Sequence, residues 1–269
     1  MIDLIDFKNW LSLNCGSKAS VKTHINNLKD YFRHNEIYNQ ELVNSFLVSK
    51  REIWQATTFN MYLNSFKWYA RFLKIELEFP KFRKINVNFH EYISEKELDD
   101  ILIKLPLIFS NSKKVQTLLK LMFEAGTRPK EIINIKRKDF NFDTKTIILR
   151  DTKTYTDREV PLSDKTSKMI QDYFSFEAEK DNAFNISFYT LNYIFNQINK
   201  CLNLKKKLSP YMMRRSFAHN LYDKNAELSD IQKTMGHGRI ETTFVYLNNS
   251  NKKAISNVRA ILNKKKRRK

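Results

Sequence analysis

Four segments in the second half of the chain carry residue types that suit chemistry at a phosphate group. Each contains a cationic side chain, and the segments are residues 125–135, 153–162, 211–219 and 231–246. Arg128 and Arg214 are the first candidates, because a guanidinium stays charged at any working pH and matches two phosphate oxygens at once. Two such cations would stabilise the charge that grows on the nonbridging oxygens when a phosphodiester is attacked. The pattern therefore indicates phosphoryl chemistry.

These segments resemble the signature motifs of the tyrosine recombinase, or phage integrase, family. Residues 126–131 match G-x-R-x-x-E, and residues 153–162 match K-x4-R-x-V-P-L. Residues 211–218 resemble H-x-L-R-H-[ST]-F-A, with Tyr211 in the place of the first histidine. Residues 231–246 match I-Q-x-x-[LM]-G-H-x4-T-T-x-x-Y. Because the four motifs occur in the family's order and spacing, the resemblance is specific.

The resemblance implies that DNA is cut and rejoined through a covalent link to the protein. Tyr246 would supply the nucleophilic oxygen, giving a 3′-phosphotyrosyl intermediate and a free 5′ hydroxyl. Lys153 would act as the general acid for the leaving 5′ oxygen, and His237 would hydrogen-bond the scissile phosphate. The ester retains the bond energy, so rejoining would need no ATP. The sequence has no Gly-rich phosphate loop and no metal-ligand spacing, so neither a nucleotide nor a metal cofactor is expected.

Tyr211 departs from the motif in a way that bears on proton transfer. A phenol with a pKa of about 10 is a poor base compared with an imidazole, although it can still donate a hydrogen bond to a phosphate or attacking oxygen. The departure predicts altered proton handling and slower cleavage, and it is a recognised variation among archaeal members of the family. Tyr211 could also compete as the nucleophile, which its position three residues before Arg214 makes unfavourable.

Glu131 follows Arg128 by three residues in the first motif. The resemblance implies that it orients Arg128 or the surrounding loop. A glutamate on a helix surface with no such role is the open alternative.

The elements that must position these residues are mainly helical, in two domains. Four Gly and five Pro among 269 residues disfavour an all-β architecture. Residues 1–75 predict a helical domain, residues 76–92 a linker and residues 93–250 a second domain. The resemblance implies that the first binds DNA and that the second is catalytic, with the tyrosine recombinase fold. Residues 251–269 predict a C-terminal helix and a basic tail. The fold class expected is mainly α with a small three-stranded antiparallel sheet, and the resemblance implies that the two domains close on DNA as a C-shaped clamp.

Local signals divide the catalytic region further. Ser94 and Glu97 form a capping-box pattern that opens a helix ended by Pro106. Residues 114–124 predict an apolar helix that stops at Gly126, and Pro129 suits the first turn of the next helix. Three alternating stretches then predict an antiparallel meander, at residues 140–142, 147–149 and 159–162. Everything after that meander has a helical pattern.

The charge points to double-stranded DNA as the partner. A formal net charge of +19, from 48 Lys and Arg against 29 Asp and Glu, attracts a polyanion, although charge alone would serve anionic lipid equally well. No apolar run is long enough to span a bilayer, which argues against a membrane protein. Two cysteines and no secretory signal fit a cytoplasmic location. A phosphate-binding arm is expected at the six terminal basic residues, Lys264, Lys265, Lys266, Arg267, Arg268 and Lys269.

Several roles remain open at this level. The reaction could integrate or excise a mobile element, or resolve circular DNA as Xer-like members do, with a dimer on one site and a tetramer in synapsis. A type IB topoisomerase would share the chemistry, and a DNA-binding protein that has lost catalysis would share the fold. An apolar stripe after Tyr246 could dock in cis or on a neighbouring protomer, and comprises Ile255, Val258, Ile261 and Leu262.

Overall fold

The structure is a computed structural model that describes residues 4–85, 91–150, 157–176 and 181–236, with Gly238, Arg259 and Leu262. Two compact units divide the chain, Met1–Val87 and Asn88–Lys269. The division falls inside the segment expected to be the linker. In the described ranges, no helix has the length and apolar character that crossing a membrane requires.

The first unit contains four helices, as the periodicity predicts. They are α1 (Ile5–Asn14), α2 (Lys18–Tyr31), α3 (Gln40–Arg51) and α4 (Ala56–Leu73). Side-chain caps fix two of the starts: Ser17 accepts from the Ser20 amide ahead of α2, and Asn39 accepts from the Leu42 amide ahead of α3. The left-handed backbone at Lys74 ends α4.

Aromatic rings form much of the core of this unit. Tyr31 is fully buried and meets Phe46 and Phe66 edge to face at centroid distances of 5.3 and 5.2 Å. Its hydroxyl donates to the Ile37 carbonyl at 3.0 Å, so the polar end of the ring is satisfied. Edge-to-face contacts between aromatic rings, in addition to aliphatic packing, therefore stabilise the core of the first unit.

A buried polar cluster joins α2 to α4. Ser65 donates its hydroxyl proton to the Met61 carbonyl at 2.9 Å, so its oxygen can only accept from the other two partners. Asn27 Nδ2 donates to that oxygen at 2.9 Å, and His24 Nδ1 lies 2.8 Å from it. His24 Nδ1 must therefore carry a proton in the neutral ring, and burial lowers the pKa of His24 from its ordinary value of 6.5.

The first part of the expected linker packs against the first unit. Gln40 exchanges two hydrogen bonds with the Glu78 backbone, at 2.8 and 2.7 Å. Asn60 does the same with the Arg83 backbone, at 2.8 and 2.7 Å. Each side-chain amide thus pairs with one backbone N–H and one backbone C=O of the extended segment, groups that would otherwise need a neighbouring strand as partner. Residues 77–85 therefore form an extended strap along the first unit. The sequence pattern alone did not indicate this arrangement.

The second unit is helical around one small sheet. Its described helices are α5 (Glu95–Lys104), α6 (Ser112–Ala125), α7 (Pro129–Asn134), α8 (Asp164–Phe176), α9 (Phe188–Leu202), α10 (Pro210–Asp223) and α11 (Leu228–Met235), with 3₁₀ turns at Leu105–Leu107 and Arg137–Asp139. The predicted capping box of Ser94 and Glu97 is present at the start of α5. Pro106 lies in the 3₁₀ turn that follows α5, as expected of a residue that cannot continue the helix.

The three-stranded antiparallel sheet is confirmed. It comprises β1 (Phe140–Asn141), β2 (Thr146–Leu149) and β3 (Arg158–Pro161), in that order. Leu149 pairs with Arg158 and Ile147 with Val160, so the buried face carries Ile147, Leu149 and Val160. The turn between β2 and β3, which includes Lys153, lies outside the described residues.

Helix α6 is central to the second unit and leads directly to the first motif. It packs against α8 and α10, and its Leu118, Leu121 and Met122 are fully buried. Gly126 ends it in the left-handed region at φ 57°, where a Cβ would overlap the ring of Phe217 on α10. The predicted stop at Gly126 is thus explained both by backbone conformation and by close packing.

Protonation of His24 is expected to destabilise the first unit as the pH falls. Because the folded-state pKa is below 6.5, the stabilisation is present above that pH and is lost as the pH drops through the folded value. The variant His24→Asn keeps an amide donor for Ser65 but does not titrate, so it should lose this part of the pH dependence. All three tryptophans, Trp10, Trp54 and Trp68, lie in the first unit, so urea unfolding followed by tryptophan fluorescence isolates it. If the free energy of unfolding of the wild type and of His24→Asn changed equally between about pH 7.5 and about pH 5.5, His24 would not be the titrating group.

Gly126→Ala is expected to destabilise the second unit by about 2–4 kcal/mol, from left-handed strain and from overlap with Phe217. Native-state hydrogen exchange on peptides from α6 and α10 measures this loss. Gly16→Ala is the matched control, since a Cβ at Gly16 meets nothing within 4 Å. If the amides of α6 and α10 were as well protected in Gly126→Ala as in the wild type, the close approach of Gly126 to Phe217 would not be required for stability.

Candidate active site

Arg128 occupies the turn between α6 and α7. It is the residue just before α7, whose first position is Pro129, as the sequence predicts. Its backbone amide donates to Glu131 Oε2 at 2.6 Å, and its Nη1 donates to Glu131 Oε1 at 2.7 Å. Its Nη2 donates to the Gly236 carbonyl at 2.8 Å. With a quarter of its side chain exposed, this guanidinium is partly open to solvent.

Arg214 lies on α10, which begins with Ser209 as the capping residue and Pro210 in the first turn. Its side chain is almost completely buried. Nη1 donates to the Gly126 carbonyl and Nη2 to the Met235 carbonyl, both at 2.5 Å. Arg214 therefore contacts the turn that holds Arg128, and both arginines contact the end of α11, although 86 positions separate them in the sequence.

A third arginine, Arg158, joins this group from the first position of β3. Its Nη1 and Nη2 donate to the two carboxylate oxygens of Glu131 at 2.7 and 2.9 Å. Its Nε donates to the Thr234 carbonyl at 2.7 Å. The sequence analysis counted Arg158 only as the arginine of the K-x4-R-x-V-P-L motif. A signal was available, because strand alternation puts Arg158 on the same face as the buried Val160.

The C-terminal end of α11 is where the three arginines meet. A helix end leaves carbonyls without partners in the helix and carries a partial negative charge. The Gly236 amide closes the last turn onto the Lys233 carbonyl at 2.9 Å. The next three carbonyls, of Thr234, Met235 and Gly236, accept from Arg158, Arg214 and Arg128 respectively. Each such contact with a cation contributes about 0.3–1 kcal/mol.

Glu131 is the carboxylate of this group, and it is buried. Burial on its own would raise the pKa of Glu131. Hydrogen bonds and charge from Arg158, and then from Arg128, outweigh burial and hold that pKa below its ordinary value. Glu131 therefore stays ionised and bonded to Arg128, and its role in orienting Arg128 stays a prediction.

Tyr211 stands in the first turn of α10, three residues before Arg214. The residue is 58% exposed. A phenol in this position is accessible to a ligand.

The remaining predicted site residues cannot be located in the described ranges. They are Lys153, His237, Tyr246 and the tail from Lys264 to Lys269, and their roles stay predictions. His237 directly follows Gly236 in the sequence, so the arginine-held end of α11 leads straight into it. In the parts of the chain that the structure describes, no group of three or more His, Cys, Asp or Glu side chains could hold a metal ion.

Known proteins provide a second line of observation. Residues 91–253 match the model of the Phage integrase family. The chain is 24% identical over 256 residues to the tyrosine recombinase XerA of Pyrococcus horikoshii, covering 90% of this chain and 87% of that protein. It is 30% identical over 154 residues to a probable integrase/recombinase of Acholeplasma phage L2, covering 54% and 52%.

Solved structures agree at the level of the fold. The integrase of transposon Tn1549, in complex with a circular intermediate DNA, superposes with a TM-score of 0.71 at 15% identity, covering 88% of this chain and 92% of that one. The XerH site-specific recombinase, in a post-cleavage complex with a palindromic difH substrate, gives a TM-score of 0.69 at 17% identity, covering 89% and 79%. Since the family model matches well over half of the chain and the fold agrees, this chain belongs to the phage integrase family of tyrosine recombinases.

Proposed function

We propose that this protein is a site-specific recombinase that breaks and rejoins double-stranded DNA through a covalent bond to Tyr246. The observation that carries the proposal is the meeting of Arg128 and Arg214 at the end of α11, which leads into His237 and, nine residues later, Tyr246. Relatives named as tyrosine recombinases support the reaction class. Structures of similar fold in complex with DNA support the substrate class.

The two guanidiniums are suited to stabilising a phosphoryl transition state. Negative charge develops on the nonbridging oxygens as the nucleophile adds to phosphorus, and fixed cations lower the energy of that state. The contacts of Arg214 with Gly126 and Met235 fix its orientation in a buried setting, so little reorganisation is needed during the reaction. Arg128 is more exposed and is oriented by Glu131.

The bond changes follow from the nucleophile. The Tyr246 oxygen attacks phosphorus and releases its proton to solvent water, the P–O5′ bond breaks, and the 5′ oxygen gains a proton from Lys153. His237 and Tyr211 donate hydrogen bonds to the phosphate or to the attacking oxygen. Attack by a 5′ hydroxyl reverses these changes and rejoins a strand without ATP. The chain's own arginines, lysine and histidine supply the charge stabilisation that this reaction requires, so we propose that neither metal nor nucleotide takes part.

The first unit offers a basic surface to DNA. Lys18, Lys22, Lys29 and Arg33 are exposed along α2 and its C-terminal end at spacings of four, seven and four residues, which places them on one side of the helix. Contacts of this kind position a duplex through its phosphates. We propose that this side binds DNA, with one dimer on each site and a tetramer when two sites pair, either for integration and excision or for Xer-like resolution.

Capture of the covalent intermediate tests the proposal. The substrate is a pool of nicked duplexes with randomised sequence, designed so that the short cleaved strand is lost and rejoining is prevented. We expect wild-type protein to form a denaturation-resistant adduct in chelator and without ATP, and sequencing of the recovered DNA would give the target site. Tyr246→Phe should form none. Arg214→Lys should lower the rate of adduct formation by about 100-fold, because an ammonium group cannot donate two parallel hydrogen bonds to the phosphate as a guanidinium can.

Two further variants assign the tyrosines. Tyr211→Phe should still form the adduct, about 10-fold more slowly, since only a hydrogen-bond donor is lost. Tyr189→Phe is the matched control, an exposed tyrosine on α9 that should react at the wild-type rate. No adduct from wild-type protein on any sequence would support a DNA-binding protein without catalysis. An adduct that persists in Tyr246→Phe would remove Tyr246 as the nucleophile.

A further inference from the structure

Arg158 has no assigned part in the proposed chemistry, yet it contacts two parts of the site at once. It opens β3, only 8% of its side chain is exposed, and its guanidinium donates to the Thr234 carbonyl at the end of α11 and to the Glu131 carboxylate on α7. A long cation in such a buried place needs a compensating partner, and Glu131 is that partner.

The carboxylate of Glu131 is shared between two arginines. Oε1 accepts from Arg128 Nη1 and Arg158 Nη1, each at 2.7 Å. Oε2 accepts from the Arg128 backbone amide at 2.6 Å and from Arg158 Nη2 at 2.9 Å. The Arg158 contact is the bidentate fork-to-fork geometry, whereas Arg128 donates to the carboxylate through Nη1 and its backbone amide.

Charge balance gives this sharing a consequence for the reaction. Two guanidiniums and one carboxylate carry a single net positive charge. Without Arg158, the charge of Glu131 would be balanced by Arg128 alone, and the pair would be neutral where the phosphate is expected to bind. A neutral pair stabilises a developing phosphoryl charge far less than a cation does at the same distance.

A second contact couples Arg158 to α11. Its Nε holds the Thr234 carbonyl at 2.7 Å. Its Cδ and Nη1 lie 3.2 Å from where a Cβ at Gly236 would stand, so the backbone of this turn passes directly over the guanidinium. Arg158 therefore fixes the turn that precedes His237 and neutralises the carboxylate that orients Arg128, through one planar group.

We propose that Arg158 is a positioning residue for DNA strand cleavage: it neutralises Glu131, so that the charge of Arg128 acts on the scissile phosphate, and it fixes the end of α11. This inference rests on the proposed function, because it assigns Arg158 a role in the same reaction.

Charge-changing variants test the proposal under single-turnover conditions, with protein in excess over the captured nicked duplex. Arg158→Gln should lower the rate of adduct formation by about 100-fold while DNA affinity changes less than about 3-fold, because the effect falls on the transition state. The double variant Arg158→Gln with Glu131→Gln restores the single positive charge. It should regain at least about 10-fold of the lost rate, which a purely structural role for Arg158 would not produce.

Two more variants complete the design. Arg158→Lys keeps the charge but loses the bidentate fork, so its rate should lie between those of wild type and Arg158→Gln. Arg150→Gln is the matched control, since Arg150 follows β2, pairs with Asp139 at 2.9 Å and has no contact with Glu131. Its rate should equal that of wild type.

The outcomes separate this inference from the proposed function. A wild-type rate in Arg158→Gln, or a double variant no faster than Arg158→Gln, would overturn the role of Arg158 while leaving the recombinase proposal intact. If wild-type protein forms no adduct, the proposed function fails, and hydrogen exchange at residues 228–236 then tests the contact with Thr234. Exchange there should rise in Arg158→Gln and not in Arg150→Gln, and equal exchange in both would overturn the inference.

Discussion

The structure of the candidate site depends on how one helix end is satisfied. The last carbonyls of α11 have no partners within the helix, and arginines from α10, β3 and the turn before α7 donate to three of them in succession. The partial negative charge at the helix C-terminus makes cations the favourable partners. One short turn thereby brings together side chains from positions 128, 158 and 214, and it leads directly into the segment that contains His237 and Tyr246.

The rest of the second unit holds this turn in place. Helix α6 is buried against α8 and α10, and it ends at Gly126, whose carbonyl accepts from Arg214 and where a Cβ would overlap the ring of Phe217. The short sheet delivers Arg158 at a buried strand position, which ties the hairpin to Glu131. Chemistry at a phosphate requires cations held in fixed positions, and here ordinary helix-end and core packing provide the rigidity.

Much of this arrangement could be predicted from local sequence. The stop at Gly126, the start at Pro129, the capping box at Ser94 and the strand order all follow from short-range backbone rules, and the structure confirms them. The strap formed by residues 77–85 could not be predicted, because it depends on amides of Gln40 and Asn60, which are distant in sequence. The sharing of Glu131 between two arginines was also missed, since a motif gives residue types and spacing but not which cation reaches a carboxylate.

The most direct test of the account is to identify the tyrosine that carries the DNA. Trypsin would release Tyr246 within residues 240–252 and Tyr211 within residues 208–214, so the two candidates fall in different peptides. Mass spectrometry of the denatured wild-type adduct, after nuclease trimming, would locate the phosphodiester-linked nucleotide. The account predicts the linkage on the peptide of residues 240–252. A nucleotide on the peptide of residues 208–214 would contradict it and would make the exposed phenol on α10 the nucleophile.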